Sequence, residues 1–138
     1  MIDKFEKEYR WLSNFYTSEI PTIYAIYAPT VEHYYQMSKA KRFVDAMEIL
    51  CSKSPYDAKR LGRRVDMVEN WEEIKLEVME EALRLKFAIP ELKEKLIATG
   101  DHELIEGNDW GDTYWGVCNG VGDNHLGKLL MKIRKEIK

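Results

Sequence analysis

Glu32, Gln36 and Lys39 occupy one short run, Thr30-Val31-Glu32-His33-Tyr34-Tyr35-Gln36-Met37-Ser38-Lys39. Seven residues make about two helical turns, so an acid at 32 and an amine at 39 share a helix face. Gln36, at i+4 from the acid, lies on that face between them. A carboxylate, a carboxamide and an ammonium in a row suit a small polar ligand better than an apolar core. The same spacing also suits a solvated helical ion pair, and a first-turn Glu32 gains from the helix dipole in either case. His33 follows Glu32 directly and therefore points about 100° away around the helix.

A second cluster runs from Glu106 to Gly116 and packs three acids, two tryptophans and three glycines into eleven residues. Indole faces can stack on a planar ring. Glycines in Gly120-Val121-Gly122-Asp123-Asn124 precede a predicted helix, where backbone N–H groups can approach an anion. No long buried strand precedes that run, so a dinucleotide-binding βαβ unit is rejected. A tight turn followed by a helix cap explains the glycines equally well. The three histidines, His33, His102 and His125, lack ligand spacing, so no metal site is expected.

The elements that must hold these groups are mostly helical. Thr30 is a predicted N-cap, after Pro29, for a helix reaching about Arg42. A second helix covers about Val44 to Cys51. Ser54-Pro55 opens a third that Gly62 closes. Asn70-Trp71-Glu72-Glu73 has capping-box spacing and starts the longest helix, to about Phe87. Pro90 breaks the chain, Glu91 to Thr99 forms another helix, and Asn124 caps a last amphipathic one. Residues from about Phe5 to Ala28 carry no helical period; within them Ile20 to Tyr27 reads as a strand or hairpin. Leu104-Ile105-Glu106 and Tyr114 to Val117 are further short strand candidates. The expected fold class is α+β: one mainly α-helical domain over residues 1–138, with a small sheet from terminal segments.

Composition bounds the function. A chain of 138 residues with 45% hydrophobic and 33% charged residues reads as one soluble globular domain. A formal net charge of -3 argues against bulk nucleic-acid binding and against an anionic membrane surface. Cys51 and Cys118 form no metal or disulfide pattern and fit reduced residues in the cytoplasm. No window is apolar enough for a membrane span, and Met1 to Lys7 lacks a signal-peptide apolar region.

Five motifs in order carry a family resemblance. Leu12-Ser13-Asn14-Phe15, Val31-Glu32-His33-Tyr34-Tyr35-Gln36-x-x-Lys39, Gly62-Arg63, Asn70-Trp71 and Asp112-x-Tyr114-Trp115-Gly116 resemble the NADAR family, also called YbiA-like. Gly120-x-Gly122-x-Asn124-x-Leu126-Gly127, with Leu130-Met131 and Arg134, is similar to that family's closing motif. The match runs from about Trp11 to Arg134. Met37 stands where a smaller residue is common, and Thr113 replaces the usual alanine.

The resemblance implies an enzyme without a cofactor that cleaves N-glycosidic bonds to a ribosyl group. One known activity removes ribosyl phosphate from phosphoribosylamino-pyrimidines, reactive intermediates of riboflavin synthesis. The other removes ADP-ribose from modified guanine in DNA or related nucleosides. The implied partner is thus a small ribosyl-phosphate or ADP-ribosyl molecule, or an ADP-ribosylated nucleic acid. Mild acidity favours the small molecule. Breaking a ribosyl C–N bond builds positive charge at the anomeric carbon and negative charge on the departing nitrogen, work for a carboxylate and an acid. Glu32 and Asp112 are the candidate pair, by analogy with paired carboxylates in O-glycosidases. Lys39 has two candidate roles: binding phosphate, or forming a Schiff base with the opened sugar. Arg63 is a candidate phosphate clamp. Trp71 is expected to stack the base or wall the site, and Asn14 and Gln36 to donate hydrogen bonds to ribose hydroxyls. Tyr114, Trp115 and Asn124 are candidate substrate-binding residues, and Tyr114 and Trp115, with Gly116, are expected to shape the site more than to react. A non-catalytic ADP-ribose or nucleotide reader, and a plain interaction domain, are the rival classes.

Overall fold

Thr30 turns an extended segment into the helix that carries the acid and the amine. Its backbone is extended, and its Oγ1 accepts the His33 N–H at 3.1 Å, satisfying one of the donors a helix start leaves open. The computed structural model describes residues 1–138, which divide into two compact units: Asn14–Lys86, and Met1–Ser13 with Phe87–Lys138.

The first of these, Asn14–Lys86, begins with a two-residue antiparallel pair, β1 (Ile20–Pro21) and β2 (Tyr27–Ala28), with Ile20 opposite Ala28. Four helices follow: α1 (Val31–Lys39), α2 (Phe43–Leu50), α3 (Pro55–Gly62) and α4 (Trp71–Lys86). Helix α1 is the hub, packed against α2, α3, α4 and β2. Every residue from Val31 to Met37 is buried. The solvated-stripe alternative for Glu32 and Gln36 therefore fails. Around α1 lie Ile20, Ala28, Ala46, Ile49, Ala58, Met79, Ala82 and Leu83, all almost completely removed from water.

Helix α1 ends at Lys39 rather than Arg42. Ala40 is extended and bridges Met67, the Lys41 N–H donates to Asp66 O, and the Val68 N–H donates to Lys39 O. These bonds recruit residues 39–41 into a short ladder, which competes with another helical turn. Helix α3 starts as expected, with Ser54 Oγ accepting the Asp57 N–H and Pro55 at the first helical position.

The second unit holds a 3₁₀ helix (Lys7–Leu12), α5 (Pro90–Ala98), a parallel pair β3 (Gly107–Asn108) and β4 (Val117–Cys118), and α6 (His125–Ile137). The 3₁₀ turn was not expected; it is short, has no apolar period, and is held in part by Trp11 Nε1 donating to Glu8 O. The small sheet takes the form of two separate ladders. The strand candidate at 104–106 contributes only a bridge from Leu104 to Ile2. Helices α5 and α6 pack together, and Arg134 ties them from within, its Nη1 donating to Thr99 Oγ1 and His102 O at 2.9 and 2.8 Å. No helix is long and apolar enough to cross a membrane.

Candidate active site

On α1, Gln36 Nε2 donates to Glu32 Oε2 at 2.7 Å, one turn apart along the face the spacing predicted. Both side chains are buried. The hydrogen bond fixes which way the carboxamide points. Its oxygen, Oε1, is buried and has no hydrogen-bond partner. Such an orphan is costly, by about 1–3 kcal/mol, unless a ligand supplies a donor. Gly62 of α3 makes the arrangement possible: a Cβ there would lie 1.9 Å from Gln36 Oε1. Its backbone needs no special conformation. Glycine stands there for closeness alone.

Lys39, half-buried at the end of α1, has its pKa held below the ordinary lysine value of 10.5. Burial is the main cause, since it penalises the charged form. The Arg63 and Lys75 cations push in the same direction, while Glu32 and Glu72 oppose them. Two other cations and two carboxylates thus act on Lys39. Arg63, which follows α3, is exposed. Lys75, mostly buried beside its partner Glu72, was not singled out in the sequence. Its position one turn after Trp71 gives no signal of a role.

Asn14 meets the start of α1 through its backbone, whose C=O accepts the Glu32 N–H at 3.1 Å. Its Nδ2 donates to Met79 Sδ at 3.5 Å, and its Oδ1 is a second buried atom without a partner. Asn14 and Gln36 were expected to donate to ribose hydroxyls. Their donors are instead used inside the protein, and what each leaves open is a carbonyl acceptor. Trp71, also expected at the substrate, is 3% exposed, with its ring 5.0 Å from that of Tyr35. It is a wall of the core, not an open stacking face.

His33 points away from the Glu32 face, as its spacing required. The Ser52 carbonyl can only accept, so Nε2 carries the proton it donates at 3.2 Å, and Nδ1 accepts from the Thr30 hydroxyl at 2.8 Å. Burial lowers the pKa and favours this neutral ring. A second amine missed in the sequence is Lys86. It is fully buried, its pKa is pushed down to about 7 by that burial, and its Nζ lies 5.7 Å from the centre of the Tyr16 ring. Lys86 is completely buried, whereas Lys39 is half-buried.

In the other unit, the segment 106–125 uses its polar groups on itself. Asp112 Oδ1 accepts the N–H groups of Tyr114 and Trp115 at 3.1 and 2.9 Å. Asn108 braces the same turn, accepting the Asp112 N–H through Oδ1 and donating to Asp112 O through Nδ2. Tyr114 packs edge-on to Trp115 and against His125. Asn124 precedes α6 in a left-handed conformation and forms no side-chain cap, contrary to expectation. Its Oδ1 accepts the Glu106 N–H and its Nδ2 donates to Leu104 O, both at 3.0 Å. Both ends of the amide are engaged with backbone, which leaves little for the substrate contact expected of it.

The NADAR domain family model matches residues 2–138. The N-glycosidase YbiA of Shigella boydii is 42% identical over 116 residues, covering 79% of this chain and 70% of that protein. The maize chloroplastic riboflavin biosynthesis protein PYRR is 39% identical over 126 residues, which span 79% of this chain and 20% of that protein. The NMR structure of the Escherichia coli protein YbiA matches with a TM-score of 0.85 at 36% identity, over 99% of this chain and 86% of that one.

Proposed function

This chain belongs to the NADAR family, and on that premise we propose that it hydrolyses the C–N bond between a ribosyl phosphate and an amino-pyrimidine. It is an N-glycosidase. The observation that carries the choice of site is the buried Glu32–Gln36 pair, whose unpartnered Oε1 lies on the same helix face as the amine of Lys39. Buried acceptors at Gln36 and Asn14 call for a ligand that donates, as sugar hydroxyls do. The likeness to a protein named for riboflavin biosynthesis supports a pyrimidine as the leaving group.

The chemistry follows from the residues. A ribosylamine opens to an imine at C1. The unprotonated Nζ of Lys39 adds its lone pair to that carbon, forming a new C–N bond. A proton moves to the pyrimidine nitrogen, the old C–N bond breaks, and the base leaves as a neutral amine. Lys39 is then joined to C1 as a Schiff base, and water adds to release the aldose phosphate and the amine. Glu32 is suited to pass the protons, being buried and oriented by Gln36. The lowered pKa of Lys39 favours the neutral amine that the addition needs. Arg63 offers a planar fork to the phosphate.

The test is a paired assay of the purified chain on a phosphoribosylamino-pyrimidine and on ADP-ribosylated guanosine, following release of free base. The first substrate should be cleaved at the higher kcat/KM. Cleavage of the second alone would assign the site to ADP-ribose.

A further inference from the structure

Helices α1 and α3 run in the same direction along their shared seam, start beside start and end beside end. At one end, His33 of α1 binds the Ser52 carbonyl just before α3, and Phe15 touches Tyr56 in the first turn of α3. At the other end, Gln36 meets Gly62, and Lys39 and Arg63 feel each other's charge. Tyr56 and Arg63 are seven residues apart, so they stand on one face of α3, as Glu32 and Lys39 do on α1. Each pair spans about 10 Å of helix axis. The seam therefore has an aromatic end, a middle with buried acceptors, and a cationic end.

The aromatic end is unusual in its exposure. Tyr56 is 72% exposed, yet its ring is held edge-on to the half-buried Phe15 at 4.7 Å between centroids and 89° between planes. Phe15 is fixed next to Asn14, whose carbonyl is bonded to the Glu32 N–H. The edge-on contact with Phe15 orients the Tyr56 ring, and Phe15 follows the residue whose carbonyl binds the start of α1. Trp71 is buried against Tyr35 and leaves the work of base recognition unfilled.

We propose that the Phe15–Tyr56 pair is the base-recognition end of the site, Tyr56 stacking on the heteroaromatic leaving group. The phosphate lies toward Arg63, and the ribose spans Gln36 and Glu32 between them. This assignment rests on the ribosyl-phosphate reading above and specifies its polarity along the seam. It also sets a preference: a planar aromatic aglycone over a small amine.

Isothermal titration of the full chain with ribose 5-phosphate and uridine 5′-monophosphate separates the two ends. The wild type should bind the nucleotide about tenfold or more tightly than the sugar phosphate, the usual order for one base on one aromatic ring. Tyr56→Ala should abolish that advantage and leave ribose 5-phosphate affinity within about twofold. Tyr56→Phe should keep it, because stacking needs the ring and not the hydroxyl. If ribose 5-phosphate binds and the nucleotide gains nothing over it, the base end is wrong and the ribosyl-phosphate reading stands. Equal weakening of both ligands by Tyr56→Ala also overturns the assignment. If the wild type binds neither, the ribosyl-phosphate reading fails and takes this inference with it.

Discussion

The face of α1 and the segment 106–125 both gather carboxylates, amides and aromatic rings, but they use their polar atoms differently. On α1, Gln36 donates to Glu32 and leaves Oε1 buried and unpartnered, and Asn14 leaves its Oδ1 in the same state. In 106–125, Asp112 and Asn108 hold the backbone of their own turn, and Asn124 bonds the backbone at 104 and 106. Folding alone does not satisfy the first group, whereas it does satisfy the second. A site that waits for a ligand has open hydrogen-bonding capacity in a dry place; a well-made turn has none.

Substitutions should separate the two regions. The largest effect is expected for Glu32→Gln, which removes a charge and keeps the shape: kcat should fall by about 10²- to 10⁴-fold with the melting temperature nearly unchanged. A mutant that retains turnover would remove Glu32 from the chemistry. Gly62→Ala comes next. Its new Cβ must displace the Gln36 carboxamide, so kcat/KM should drop by about tenfold or more, with a stability cost of roughly 1–3 kcal/mol. Normal kinetics in this variant would show that Gln36 need not sit where it does.

Arg63→Gln should raise KM by about tenfold through loss of one charged hydrogen-bonding partner. It should also move a pH profile. In the proposed mechanism Lys39 attacks as the unprotonated amine, and its pKa lies below 10.5, so kcat/KM should rise with pH along a limb below that value. Arg63 helps to hold the pKa down, so its removal should shift the limb to higher pH. An unmoved limb would assign it to another group. The smallest effect on turnover is expected for Asp112→Asn, which keeps the Oδ1 acceptor: a change of less than about tenfold, read as kcat beside thermal unfolding. A loss matching that of Glu32→Gln would place Asp112 in the chemistry.

Much of α1 was legible in the sequence, because short-range rules decide it. The Thr30 cap, the Ser54-Pro55 start and the one-turn spacing of Glu32 and Gln36 all follow from local geometry. What no spacing reveals is that Glu32, His33 and Gln36 all lie in the interior. A helix with polar residues on several sides reads as half-exposed, and only packing by α2, α3 and α4 buries it. The sense of the amides was also hidden: Asn14 and Gln36 are donors or acceptors according to which end their neighbours take. Two-residue strands such as β3 and β4 are too short to show a period. The division into units left no trace either, since Lys86 ends α4 and Phe87 begins a segment grouped with residues 1–13, with no linker between.

The central claim, that Lys39 on the buried face of α1 takes the sugar, is open to one direct measurement. Borohydride added during turnover of a phosphoribosylamino-pyrimidine should reduce the Schiff base, and peptide mass spectrometry should then find the sugar phosphate on Lys39. An active enzyme that yields no adduct, or an adduct on a different lysine, would contradict it.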